Sequence, residues 1–169
     1  LYFNGKDGFY FGKNASCTYV AVEKAGQVLD SKCQENWNVN TVNTTQETSF
    51  NPSGEKLDLN DANMYQARYS WYGGGIIEMA VIFDSPEYGQ QYVPLHRFDI
   101  ENQTSLEQVS VPISLETSND SDNSVSVELG GRQYSILDNY EKSARTIKEV
   151  RESFTAPADE YAPAISFRV

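Results

Sequence analysis

The sequence predicts an all-β protein built as an antiparallel β-sandwich of jelly-roll-like form, with at most one short helix near 140–154. Three observations carry that reading. Tyr occurs eleven times and Asn, Thr, Ser and Gln are abundant while Leu and Ala are scarce, a balance that suits strands and polar loops. Several stretches alternate apolar and polar residues with period two. Turn signals recur every eight to twelve residues or so, the rhythm of sandwiches and barrels. With 169 residues the chain is read as one domain, 1–169, forming a fragment of a longer protein.

Taken in order, "LYF" and "FYF" flank "NGKDG", whose Asn-Gly and Asp-Gly pairs tolerate the positive φ of tight turns. The opening "LYFNG" resembles the tail of a protease-cleavable tag with one letter changed, but it continues the aromatic–glycine pattern of the next residues and native sequence is the preferred reading of the two. "CTYVAVE" (17–23) alternates as a strand. Residues 30–53 turn polar and are expected to form a long ordered loop anchored by Trp37 and Phe50. "MYQARYSW" (64–71) is the cleanest alternating stretch, with Tyr65, Ala67, Tyr69 and Trp71 on one face. "IIEMAVIF" (76–83), nearly all apolar, reads as a central strand buried on both faces. "QYVPLHRFDI" (91–100) reads as a strand whose Pro94 requires an edge or a bulge, because proline cannot donate to a ladder.

Further on, "QVSVPISLE" (108–116) and "VSVELG" (125–130) read as strands, with "GRQYSIL" (131–137) as hairpin partner across Gly130-Gly131. "YEKSARTIKEVRESF" (140–154) fits a helical face through Ile147, Val150 and Phe154, yet suits a strand if tertiary pairing prevails. "PAISFRV" (163–169) reads as a closing strand.

Charge and composition exclude some partners. A net charge of −11 argues against nucleic-acid binding, which gains affinity by neutralising phosphates with Lys and Arg. No apolar run approaches the roughly 20 residues of a membrane span, so membrane insertion is not expected. Cys17 and Cys33 suit either a disulfide closing the intervening loop or two buried thiols.

Gly73-Gly74-Gly75 invites comparison with a phosphate cradle. Such a cradle opens a helix and ends in Lys and Ser or Thr, whereas this triplet opens a strand-former with neither. A bend in the sheet is the reading that remains. His96 is the only histidine, so any acid–base relay or metal site would have to be built around it; inside a strand it reads as structural. Glu78 is a lone acid in an apolar strand. It is either the raised-pKa acid of a glycan-cleaving site or a carboxylate that points to solvent or pairs with Arg68 or Arg97, the reading preferred. Asp58, Asn60 and Asp61, and Asp120 with Asp122, offer oxygen ligands for a loop Ca²⁺, but turn chemistry explains the same residues. No cofactor or resident metal is expected. Trp37, Tyr72 and Tyr88 are candidates for stacking on sugar rings, with core or turn packing as the alternative.

In sequence order the motifs resemble a family of large virion structural proteins from tailed phages and environmental viruses. That family opens on an aromatic strand and a D-G-x-x-F-G turn, matched by "FNGKDGFYFG" (3–12). Its W-N-x-D/N, P-S-G and L-D segments are matched by "ENWNVNTVN" (35–43) and "NPSGEKLDL" (51–59). "YQARYSWYGGGII" (65–77), "VPLHRFDIEN" (93–102), "SVPISLETSN" (110–119) and "PAISFRV" complete the string. The chain departs from the pattern at Asn40, where the family has an acid, and in a shorter stretch between Gly12 and Trp37. The resemblance implies a non-enzymatic building block of a phage virion, located in the particle as fibre, tail or surface decoration. It implies homo-oligomerisation, contacts with other virion proteins and attachment to host glycans. A carbohydrate-binding module and a glycan-degrading enzyme centred on Glu78 are the alternatives.

Overall fold

The computed structural model describes residues 2–3, 6–70, 75–99, 112–119, 124–133, 135, 148–156 and 161–165. The chain divides into two compact units, Leu1–Val111 and Pro112–Val169. Apart from one 3-10 turn, the regular structure of the described residues is antiparallel β, the class the alternation predicts.

The first unit holds two sheets. β1 (Tyr2–Phe3), β2 (Gly8–Lys13), β3 (Thr18–Lys24) and β4 (Gln27–Cys33) follow one another as a four-stranded meander. β5 (Met64–Arg68), β6 (Ile76–Ser85) and β7 (Gly89–Asp99) form a three-stranded one. Alternation fixes which side chains face inward. Phe9 pairs with Val22 and Phe11 with Val20 across β2 and β3, while Ile77 pairs with Phe98 and Val81 with Val93 across β6 and β7. These residues, joined by Trp37, Val42, Leu57, Met79 and Leu95, make one shared apolar core between the sheets. Aromatic pairs bridge it directly: Phe9 lies 4.8 Å from Tyr69 and Phe11 4.7 Å from Tyr65, centroid to centroid, both tilted.

The β3–β4 hairpin turns through Ala25 (φ 52°) and Gly26 (φ 77°), the two positive-φ positions that suit a right-twisted ribbon. Buried Asp7 accepts a 2.7 Å hydrogen bond from the Ala25 amide, and the Gly26 amide donates to the Lys6 carbonyl. The Asp-Gly segment therefore secures a turn in the neighbouring hairpin. Cys17, just before β3, and Cys33, at the end of β4, form a disulfide with Cα atoms 5.8 Å apart.

Gly75 has φ +82° and opens β6, a strand. β5 and β6 run antiparallel on either side of the triplet, the geometry of a hairpin bend; Gly73 and Gly74 lie outside the described residues. β6 is central, and Ile77, Met79 and Val81 point into the core between the sheets. On its other face Ala80 is fully buried, whereas Glu78 and Ile82 are half-buried and Ile76 is exposed. The expected burial on both faces therefore holds at the middle of the strand and not along its whole length. The ladder of β6 with β7 slips between Met79 and Ala80, leaving Leu95 as the extra residue beside Pro94, so the proline sits at a bulge on an edge strand.

The second unit comprises β8 (Leu115–Ser118) paired with β11 (Tyr161–Ile165), and β9 (Val125–Arg132) paired with β10 (Lys148–Ala156). The expected hairpin across Gly130-Gly131 does not form. β9 runs straight through both glycines, neither of which has positive φ, and its partner is β10. Of the ambiguous 140–154 stretch, the part from Lys148 onward is strand, drawn out by that pairing; 140–147 lie outside the described residues.

Candidate functional site

The segment from Gln34 to Asn63 joins the two sheets of the first unit and holds the most elaborate side-chain chemistry among the described residues. It begins with a 3-10 turn, Gln34–Asn36, and sinks Trp37 into the core, 3% exposed, with its indole N–H donating to the Lys32 carbonyl. The next three residues lie along the free edge of β7. Val39 and Asn40 both donate their amides to the Leu95 carbonyl, at the bulge. Asn38 imitates a strand partner with its side chain alone: its Oδ1 accepts from the Arg97 amide and its Nδ2 donates to the Arg97 carbonyl, each at 2.9 Å. Asn40 donates to the Pro94 carbonyl and accepts from the Ser53 amide.

Asn51 is fully buried and does the same inside the loop. Its amide nitrogen donates to the carbonyls of Thr44, Gln46 and Glu55, and its Oδ1 accepts from the Val42 amide and the Ser53 hydroxyl. Gln34 adds bonds to the carbonyls of Thr41 and Val42. A buried loop must find a partner for each backbone group, and planar amides, which donate and accept at once, supply them. Among the residues this net holds is Val42, buried at φ +43°, a conformation costly for a β-branched residue.

On its outer side the segment forms a half-open hollow of about 380 Å³ lined by Glu35, Asn36, Trp37, Asn38, Ser49 and Phe50. Phe50 is 74% exposed. The expectation that it anchors the loop is wrong: Asn51, the adjacent residue, takes the buried position, and the turn that buries it turns Phe50 outward. Trp37 is the anchor. Its ring lies inside the core and offers no face to a sugar, which removes it as a stacking residue. Tyr88, 69% exposed at the β6–β7 turn, does present its ring, while Tyr72 lies outside the described residues.

His96 is 3% exposed, with its ring edge-on to Phe98 at 4.5 Å. Its Nδ1 accepts the Asn38 amide, so the ring is neutral and fixed in register with the loop. Burial pushes its pKa down to about 4; Asp30 opposes the shift and Lys32 adds to it.

Glu78 sits on the outer face of β6, where its Oε2 accepts from Arg97 Nε at 2.7 Å and its Oε1 from the Tyr92 hydroxyl at 2.5 Å. Arg68 stands 4.0 Å away and lays its guanidinium over the Tyr92 ring, 3.6 Å from the centroid. Partial burial pushes the Glu78 carboxyl up, but the Tyr92 bond and the two guanidiniums outweigh it and hold it below the usual range. Tyr92 is raised, by burial first and by Glu78 second. This is the ion-paired arrangement, not the raised carboxyl of a general acid.

Asp58 Oδ1 accepts from both the amide and the side chain of Asn60, which hold it low, and Asn63 donates to the Asp58 and Asp61 carbonyls. Asp58 Oδ1 and the Asp58 and Asp61 carbonyls are engaged in turn geometry, and among the described residues no three His, Cys, Asp or Glu side chains gather as a metal site. Asp120 and Asp122 lie outside those residues. No helix among them is long and apolar enough to cross a membrane. Comparison with known families, curated proteins and solved structures finds no match for the chain.

Proposed function

We propose that this chain is a non-catalytic structural module of a phage virion, part of a fibre, tail or surface decoration, acting through assembly and attachment to host-surface glycans. One observation carries the reading: the residues of the motif string that fall in the described part serve architecture. Asp7 secures a turn, Asn38, Asn40 and Asn51 replace backbone partners, and His96 docks a loop. Exposed apolar side chains at Val28, Leu29, Leu59, Met64 and Ile76 offer surface for contacts with other copies or other virion proteins. Tryptic peptides of the chain in purified particles, together with a concentration-dependent oligomer by light scattering, are the expected result. Absence from particles combined with a strictly monomeric mass overturns the proposal.

The second reading is a carbohydrate-binding module without structural duty, favoured by the outward Tyr88 ring. Glycan binding by the isolated chain, lost on Tyr88→Ala with folding intact, together with absence of the chain from purified particles, separates it from the first. For the third, a glycan-degrading enzyme, the candidate acid is held ionised by Arg97, Tyr92 and Arg68. Glu78→Gln is accordingly expected to leave any polysaccharide cleavage by the preparation unchanged.

A further inference from the structure

We infer that the hollow beside Phe50 is a subsite for a neutral hexopyranose, a deepening that rests on the attachment role proposed above. Four observations converge on it. A large apolar ring held about three-quarters in water loses most of its hydrophobic contribution to folding, and here backbone hydrogen bonds fix the turn that presents it. The Thr41 amide donates to the Phe50 carbonyl, the Phe50 amide donates to Thr48 Oγ1, and the Thr48 and Asn51 main chains bond to each other in both directions. The ring is thus presented on a rigid turn, which lowers the ordering cost of binding.

Its surroundings are polar in the manner a sugar requires. Glu35, Asn36 and Ser49 line the same hollow, and their side chains make no hydrogen bond within the described residues, so carboxylate, amide and hydroxyl all stand ready for ring hydroxyls. The floor is fixed, because Trp37 is buried and Asn38 is clamped to both backbone groups of Arg97. The volume of about 380 Å³ lies at the lower end of the roughly 300–1,000 Å³ of small-ligand pockets, room for one or two sugar rings and not for a peptide helix.

The charge of the lining selects among sugars. Glu35 is the ionisable group in it, with no Lys or Arg, and the whole chain carries −11. A sialic or uronic acid would meet repulsion, whereas a neutral hexose stacks its C–H face on the Phe50 ring and gives its hydroxyls to Glu35 and Asn36.

The test is a titration of the ¹⁵N-labelled full chain with the methyl glycosides of glucose, galactose and mannose, and separately with N-acetylneuraminic acid. Amide shifts at residues 35–39 and 49–50 with at least one neutral glycoside, and weaker ones with the acidic sugar, are expected. Phe50→Ala should weaken binding about tenfold, the loss of one aromatic stacking partner, while Phe50→Trp retains it. Phe50 is exposed, so folding is not at stake, and the unchanged His96 ring signal verifies that. Silence of residues 35–39 and 49–50 with all three neutral glycosides overturns the subsite, as does binding that survives Phe50→Ala or favours the acidic sugar. The outcome is independent of particle composition. A chain present in particles yet silent in this titration refutes the subsite and leaves the assembly reading standing; a chain that binds here but is missing from particles does the reverse.

Discussion

Asn51 shows how far one side chain can replace secondary structure. Its amide donates to three carbonyls in a fully buried setting, so a carboxylate of the same shape would aim oxygen at oxygen. Asn51→Asp is expected to destabilise the protein by about 3 kcal/mol or more, read from the urea midpoint, because the carbonyls lose their donors and a charge is buried. His96 gives a different signature. Its folded pKa of about 4 lies below its ordinary 6.5, so the unfolded chain takes the proton first. The stability His96 contributes as a neutral acceptor is complete above pH 6.5 and lost as pH falls toward 4, by about 3 kcal/mol in all. His96→Gln, uncharged over that range, should flatten this part of the stability–pH curve. An unaltered slope between pH 6.5 and 4 would show that the ring titrates freely.

At the scale of elements, the β3–β4 hairpin is closed both by its ladder and by Cys17–Cys33. A crosslink spanning 16 residues removes loop entropy from the unfolded chain, so Cys17→Ser with Cys33→Ser should lower stability by about 3 kcal/mol, visible as a reduced melting temperature. The strands that face the core were legible beforehand, since β2, β3, β5, β6 and β7 each carry an alternating or apolar signal. β4 was not. Val28 and Leu29 are exposed on an edge strand, and without a buried face there is no alternation to read. β10 hid for another reason: its apolar spacing suits a helix, and the partner that makes it a strand lies far away in sequence. The Asn-rich segment was legible as an ordered loop with Trp37 as anchor. Phe50 was misread because its aromatic character suggests burial, although it stands between Ser49 and Asn51-Pro52 with no apolar neighbour; that isolation was the available signal.

For the molecule as a whole, the division at Val111 locates the stability of the first unit. Among the described residues the shared core runs from Phe9 to Phe98, all within the first unit. A chain of residues 1–111 is therefore expected to fold alone, with a cooperative thermal transition and dispersed amide signals. A broad, non-cooperative melt of that piece would show that the core depends on the remaining residues.

Cys33 immediately precedes Gln34, where the Asn-rich segment and its hollow begin. Sulfur chemistry thereby gives the segment two forms. In a reducing compartment such a pair stays as thiols, and the bond closes once the surroundings turn oxidising. The two forms would share every atom but two hydrogens, the oxidised one having the start of the Asn-rich segment stitched to the sheet beside it.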